Sequence, residues 1–117
     1  MATDLRNGTE FPRRGRDAVD GYLWILRAFD KARAAADNTL HDYIYPCPMD
    51  KGVFERWGIS VAEFDEAIKT CRTDDEIVAW LRQRVAAPRR DAANRWLTGE
   101  KLANLEKQDV EEGVVAA

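Results

Sequence analysis

Two short segments, Ser60-Val-Ala-Glu63 and Thr73-Asp-Asp-Glu76, constrain this chain more than anything else in it. In each, a hydroxyl can accept the amide of the third helical residue while the glutamate reaches back to the cap amide, which fixes where a helix starts. Behind the first box, Val61, Phe64, Ala67, Ile68 and Cys71 share one helical face. Behind the second, Ile77, Leu81 and Val85 point inward with Val78 and Trp80 at the shoulders, and Pro88 is expected to end that helix. A further helix is predicted through Trp57 with a stop at Gly58, because Pro48 suits the first helical position and Cys47 the N-cap. The β-branched residues never alternate in runs of four to eight, so no strand pair can be built. The chain is predicted to be all-α.

The remaining segments fit that class. A first helix is predicted to run from a cap at Asp17 or Asp20 to about Asp37. Winding at about 100° per residue gathers Tyr22, Ile25, Leu26, Phe29, Ala32 and Ala36 on a wide apolar arc, with Asp20, Arg27, Asp30 and Lys31 opposite. Residues 39–49 resist a helical reading, because Pro46 and Pro48 bias Tyr45 and Cys47 toward extended geometry; an ordered loop is expected there. Past Pro88, Ala92, Ala93, Trp96 and Leu97 recur at helical spacing up to Gly99, and a polar segment with Leu102, Leu105 and Val110 follows. The expectation is a compact single-domain bundle of about five helices. An extended or loosely attached arm occupies residues 1–16, with Phe11 able to pin it, the helical domain 17–98, and a polar helical extension with a frayed end 99–117.

With 117 residues the chain is long enough to bury a core without staples. Cys47 and Cys71 form no CxxC pair and are expected as free thiols. The longest apolar run, Tyr22 to Leu26, is far short of the ~20 residues that span a membrane. No secretory signal is visible at the start, so a cytoplasmic location is expected. Charge is unevenly spread, about −4 over residues 60–76 and about +4 over 77–99, and such neighbours partly cancel. With a sequence pI of 5.2, the basic Arg13-Arg14-Gly15-Arg16 run does not make a nucleic-acid binder.

Candidate chemistry is sparse. Cys47 at a helix N-terminus is a candidate nucleophile, since such thiols can have a lowered pKa. Asp50, three residues on, competes for the same amide donors and would repel a thiolate, so a packed thiol is the favoured reading. His41 is the single histidine, six residues before Cys47; it can act as a general base with Asp50 or simply hydrogen-bond Asp42 or a carbonyl. Neither residue comes with the ligand spacing of a zinc site, and no metal or cofactor is expected. Arg33 falls inside the apolar arc and is expected to be partly buried, marking either an internal ion pair, with Asp30 as a partner, or an anion pocket. Arg27, Asp30 and Lys31 read as a solvated charged face. Tyr22, Tyr43 and Tyr45, with the four tryptophans, suit a core or the lining of a ligand cleft. Trp24, at the margin of the charged face, is a candidate partner anchor or the base of a cation–π brace.

Gly21-Tyr22, Arg27, Asp30-Lys31, Arg33 and Tyr43-Ile-Tyr-Pro-Cys-Pro-Met-Asp50, with Trp80 downstream, resemble a bacterial family defined as a domain of unknown function, DUF5069. The resemblance covers roughly residues 12–97, and its most specific part is the Cys-Pro-hydrophobic-Asp element after the aromatic loop. It implies a bacterial, cytoplasmic, helical protein and assigns no catalytic residue. The family pattern commonly has a proline where this chain has Leu26, which implies a less kinked first helix here.

Two functional classes follow as expectations. The first is a binding module that holds a small anionic or aromatic ligand, or a partner chain, between Arg33, Tyr22 and the 41–50 loop. The alternative is a small cofactor-independent enzyme in which Cys47, His41 or Asp50 does thiol or acid–base chemistry in that pocket.

Overall fold

The computed structural model describes residues 12–41 and 43–112. Six helices follow one another: α1 Ile25–Ala36, α2 Pro48–Trp57, α3 Val61–Thr70, α4 Asp74–Arg84, α5 Ala87–Thr98 and α6 Leu102–Glu111. No strand occurs among the described residues; the one bridge joins Val19 and Tyr22. The all-α class is as expected; six helices form where the bundle was expected to have about five, and α6 falls within the segment expected as a polar helical extension.

The local start signals act as their chemistry requires. Ser60 Oγ accepts from Glu63 N at 3.0 Å while Glu63 Oε1 accepts from Ser60 N at 2.9 Å. Thr73 and Glu76 repeat the exchange at 3.1 and 3.0 Å. Cys47 caps α2 with Asp50 as the reciprocating residue, and Gly58 closes that helix at φ 80°, in the left-handed region where a side chain is unfavourable. Pro88 begins a helix rather than ending one: α4 stops at Arg84, and the proline sits in the first turn of α5, where its missing N–H costs nothing.

The first helix starts later than its periodicity suggests. Neither Asp17 nor Asp20 caps it; the preceding chain is a turn with Asp20, Gly21 and Trp24 at positive φ and Val19 and Tyr22 exchanging backbone hydrogen bonds. The physical reason is that Tyr22 and Trp24 are both buried. On a helix they would stand about 200° apart, and one would face away from the core. The turn turns both inward, where Tyr22 Oη donates to the Val85 carbonyl and Trp24 Nε1 to Asp50 Oδ1. Asn94 of α5 ties the turn down through Gly21 O and Leu23 N.

The α1 helix is then largely enclosed, apart from its C-terminal turn around Arg33, Ala35 and Ala36. Its apolar face packs on α3 and α4, while α2 lies against α5. Phe54, Trp57, Phe64 and Tyr22 interlock with ring centroids 4.9 to 6.4 Å apart, edge-on or tilted as aromatic quadrupoles prefer. The opposite, charged face is where the sequence reading fails: Arg27, Asp30 and Lys31 are each only 3 % exposed. They are capped by Arg13, by Asp50 of α2 and by Glu112 just past α6. The segment from Pro12 to Arg16 is not loosely attached: Arg13 and Arg14 bind Asp30 and Asp109. Phe11 and residues 113–117 lie outside the described part.

Candidate functional site

Three clusters of charge surround α1, and each is anchored by a residue on that helix. In the first, Lys31 Nζ donates to Asp50 Oδ2 at 2.8 Å and contacts Cys47 Sγ at 3.3 Å. Asp50 also accepts from Trp24 Nε1 at 2.7 Å and Cys47 N at 2.9 Å. Its carboxylate is fully buried with three donors on it, which makes it an anchor rather than a proton carrier. His41 lies exposed on the surface at φ 53°, away from that interior position, so the structure does not pair the two as acid and base. Cys47 is half-buried and free.

In the second cluster, Arg13 grips Asp30 through its backbone N–H, Nε and Nη2 at 2.8 to 3.0 Å and reaches Asp74 with the rest of its fork. The Arg13 guanidinium holds Asp74 below the usual carboxylate range, chiefly through its hydrogen bond. In the third, Arg27 holds Glu112 with both terminal nitrogens, at 3.0 and 2.7 Å. Tyr43 Oη donates to the same carboxylate at 2.8 Å. Burial, and then that hydrogen bond, pushes the Tyr43 phenol upward.

Arg33 behaves differently from its neighbours on α1. Its side chain is 16 % exposed, and its nearest carboxylate contact, 3.8 Å to Asp30, is to a group already engaged by Arg13. The guanidinium lies 4.2 Å from the Phe29 ring centroid, touches the Arg72 carbonyl at 3.4 Å, and leaves Nε without an acceptor. It borders a cleft of about 500 Å³ between the C-terminal half of α1, the Tyr45-Pro46 corner and α3. Ala32, Ala36 and Ile68 supply apolar wall, and Lys69, Arg72, Asp37 and Asp65 complete the charged lining. Tyr45 Oη donates to Asp65 Oδ1 at 2.7 Å; burial first, and this contact second, raises its phenol.

The expected site is therefore only partly assembled. Arg33 and Tyr45 do meet at one cleft. Tyr22 does not join them, because it is buried under Val85, and Tyr43 is committed to Glu112. Arg27 and Asp30 are internal ion-pair partners rather than a solvated face. Trp24 is fully buried, so it cannot anchor a partner; the cation–π brace with Arg27, at 5.6 Å, is what it makes. Asp65, Lys69 and Arg72 carry no sequence signal beyond their i, i+4, i+7 spacing; the first two lie one turn apart on α3 and Arg72 just past its end. Among the described residues no group of three His, Cys, Asp or Glu side chains is gathered to hold a metal, and no helix is long and apolar enough to cross a membrane.

No curated protein matches the chain. The model of the family described as a domain of unknown function, DUF5069, matches residues 9–114, well past Leu97 and through α6. The helix that supplies Asp109, and Glu112 just past it, are thus part of the family's extent. The chain belongs to the DUF5069 family.

Proposed function

We propose that the protein is a small-ligand-binding module and that the cleft beside Arg33 takes an anionic ligand with an apolar or aromatic body. The observation that carries this reading is Arg33 itself, a partly buried guanidinium that lines the cleft and whose nearest carboxylate, Asp30, stands 3.8 Å away and is already engaged by Arg13. Cations removed from water need an acceptor, and planar forks suit carboxylates and phosphates. Arg72 and Lys69, the latter also paired with Glu66, bring the cationic side chains on the lining to three against Asp37 and Asp65, while Ala32, Ala36 and Ile68 suit a nonpolar body. Native mass spectrometry of gently purified protein tests it. A retained anionic mass that Arg33→Ala and Tyr45→Phe reduce, with helicity unchanged, is the expected result. Equal retention by the folded variants would sink the reading.

A second reading has one observation in its favour, the 3.3 Å contact between Lys31 Nζ and Cys47 Sγ at the start of α2. It treats Cys47 as the nucleophile of a cofactor-independent enzyme. Against it stands Asp50, which shares the same ammonium. An alkylation rate of Cys47 that climbs only near pH ~8.5 removes it.

A further inference from the structure

The contact between Arg27 and Glu112 has the form of a receptor with a carboxylate in it. Both carboxylate oxygens are used: Oε1 accepts from Arg27 Nη1, and Oε2 accepts from Arg27 Nη2 and from Tyr43 Oη. Planar, two-point seating of this kind is how an arginine fork recognises a free carboxylate. The receiving side is rigid. Arg27 is 4 % exposed on the largely enclosed helix α1, stands 5.6 and 5.9 Å from the Trp24 and Tyr43 ring centroids, and has an Nε with no acceptor. The inserted carboxylate, itself only 7 % exposed, comes from just beyond α6. Glu112 follows the last turn of α6, a ten-residue helix whose buried side chains are Leu105 and Asp109. Asp109 is held by Arg14 and Arg16, both about one-third exposed or more. A helix of that length is marginal without its tertiary contacts.

Those observations separate a fixed pocket from a removable occupant. A buried arginine cannot be left without a counter-charge, so release of Glu112 requires another anion of the same shape. An external carboxylate meets that requirement with no change in local charge. We infer that Arg27 and Tyr43 form a carboxylate-binding site which Glu112 occupies as an internal stand-in, and that a small-molecule carboxylate displaces Glu112 and frees the end of α6. This goes beyond the Arg33 cleft. Six residues further along α1, Arg33 is turned about 240° from Arg27, so the two cations serve different faces.

The test uses glutarate, whose chain end copies the glutamate side chain, on the full-length protein at constant ionic strength. Tethered Glu112 competes at an effective concentration of millimolar order, so wild-type binding is weak. Removing the competitor by Glu112→Gln is expected to tighten glutarate binding by at least about tenfold. In the wild type, saturating glutarate is expected to speed amide exchange across α6 while α3 is unchanged, and neutral glutaramide is expected to do nothing. Arg33→Ala leaves both effects intact, which separates this site from the cleft. Glutarate binding to Glu112→Gln no tighter than to wild type overturns the proposal. If that variant does not fold, the wild-type exchange experiment decides alone, and no glutarate-dependent change in α6 overturns it equally.

Discussion

Lys31 Nζ lies 2.8 Å from Asp50 Oδ2, with the two side chains 4 and 0 % exposed. This pair sets the register of α2 on α1, because Asp50 is also the residue that closes the Cys47 capping box and the acceptor for Trp24 Nε1. One carboxylate therefore joins a helix start, the turn that precedes α1 and the middle of α1 itself. Buried ionic groups are costly to dehydrate, and they persist when every lone pair and proton finds a partner.

Breaking that junction from either side is expected to be severe. Asp50→Ala strands the Lys31 ammonium and the Trp24 indole N–H and removes the cap, for a loss of about 3–5 kcal/mol. Lys31→Met leaves the carboxylate with only neutral donors. Because both variants destroy the same network, the double variant is expected to lose less than the sum of the two. Urea unfolding with an unchanged slope measures all three, and strictly additive losses would show that the two groups are not coupled.

The close approach of α2 to α5 rests on a missing side chain. A Cβ on Gly52 would lie 2.2 Å from Cη2 of Trp96, whose ring is also stacked by Arg56 at 4.1 Å. Alanine normally gains about 1 kcal/mol over glycine inside a helix. Here the overlap is expected to outweigh that gain and leave Gly52→Ala destabilised by about 1–3 kcal/mol. The urea midpoint gives the sign directly; a stabilised variant would mean that the indole moves aside freely.

What was legible in the sequence was local. The starts of α2, α3 and α4 need only residues within one turn, and Cys47, Ser60 and Thr73 carry that chemistry in three or four letters. The start of α1 is not local, since the acceptors that draw Tyr22 and Trp24 inward are Val85 and Asp50. The charged face misled for the same reason. Arg27, Asp30 and Lys31 look like ordinary solvated spacing until Glu112, 85 residues from Arg27, and Arg13, 17 residues from Asp30, close over them. Arg33 was legible as an anomaly because an arginine inside an apolar arc violates the pattern on its own helix. The residues facing it across the cleft were not, because Asp65, Lys69 and Arg72 have the spacing of any exposed helical face.

The two serine and threonine caps make an independent pair. Ser60→Ala and Thr73→Ala each remove one acceptor from an otherwise orphaned amide, and each is expected to cost about 1 kcal/mol. They sit at opposite ends of α3 and share no hydrogen bond, so the double variant is expected to match the sum within about 0.5 kcal/mol. Thermal or urea unfolding checks this. A large departure from additivity would mean that α3 and α4 are positioned through a contact between their caps.

The three tyrosines give the chain a characteristic alkaline response. Burial raises all three phenols, helped at Tyr43 by Glu112 and at Tyr45 by Asp65, and offset in part at Tyr22 by Arg90. An unfolded tyrosine releases its proton near pH ~10, whereas each folded one retains it above that pH. The folded state thus binds more protons in this range, so the stability these groups contribute is intact below pH ~10 and falls as the pH rises beyond it. A spectrophotometric titration is expected to show no phenolate step near pH ~10 in the folded protein, and then one cooperative rise as the chain unfolds. Tyr45→Phe removes one phenol from that rise and should lessen the loss of stability with pH. A gradual phenolate signal near pH ~10 with native helicity retained would show that the phenols are open to water in the folded state.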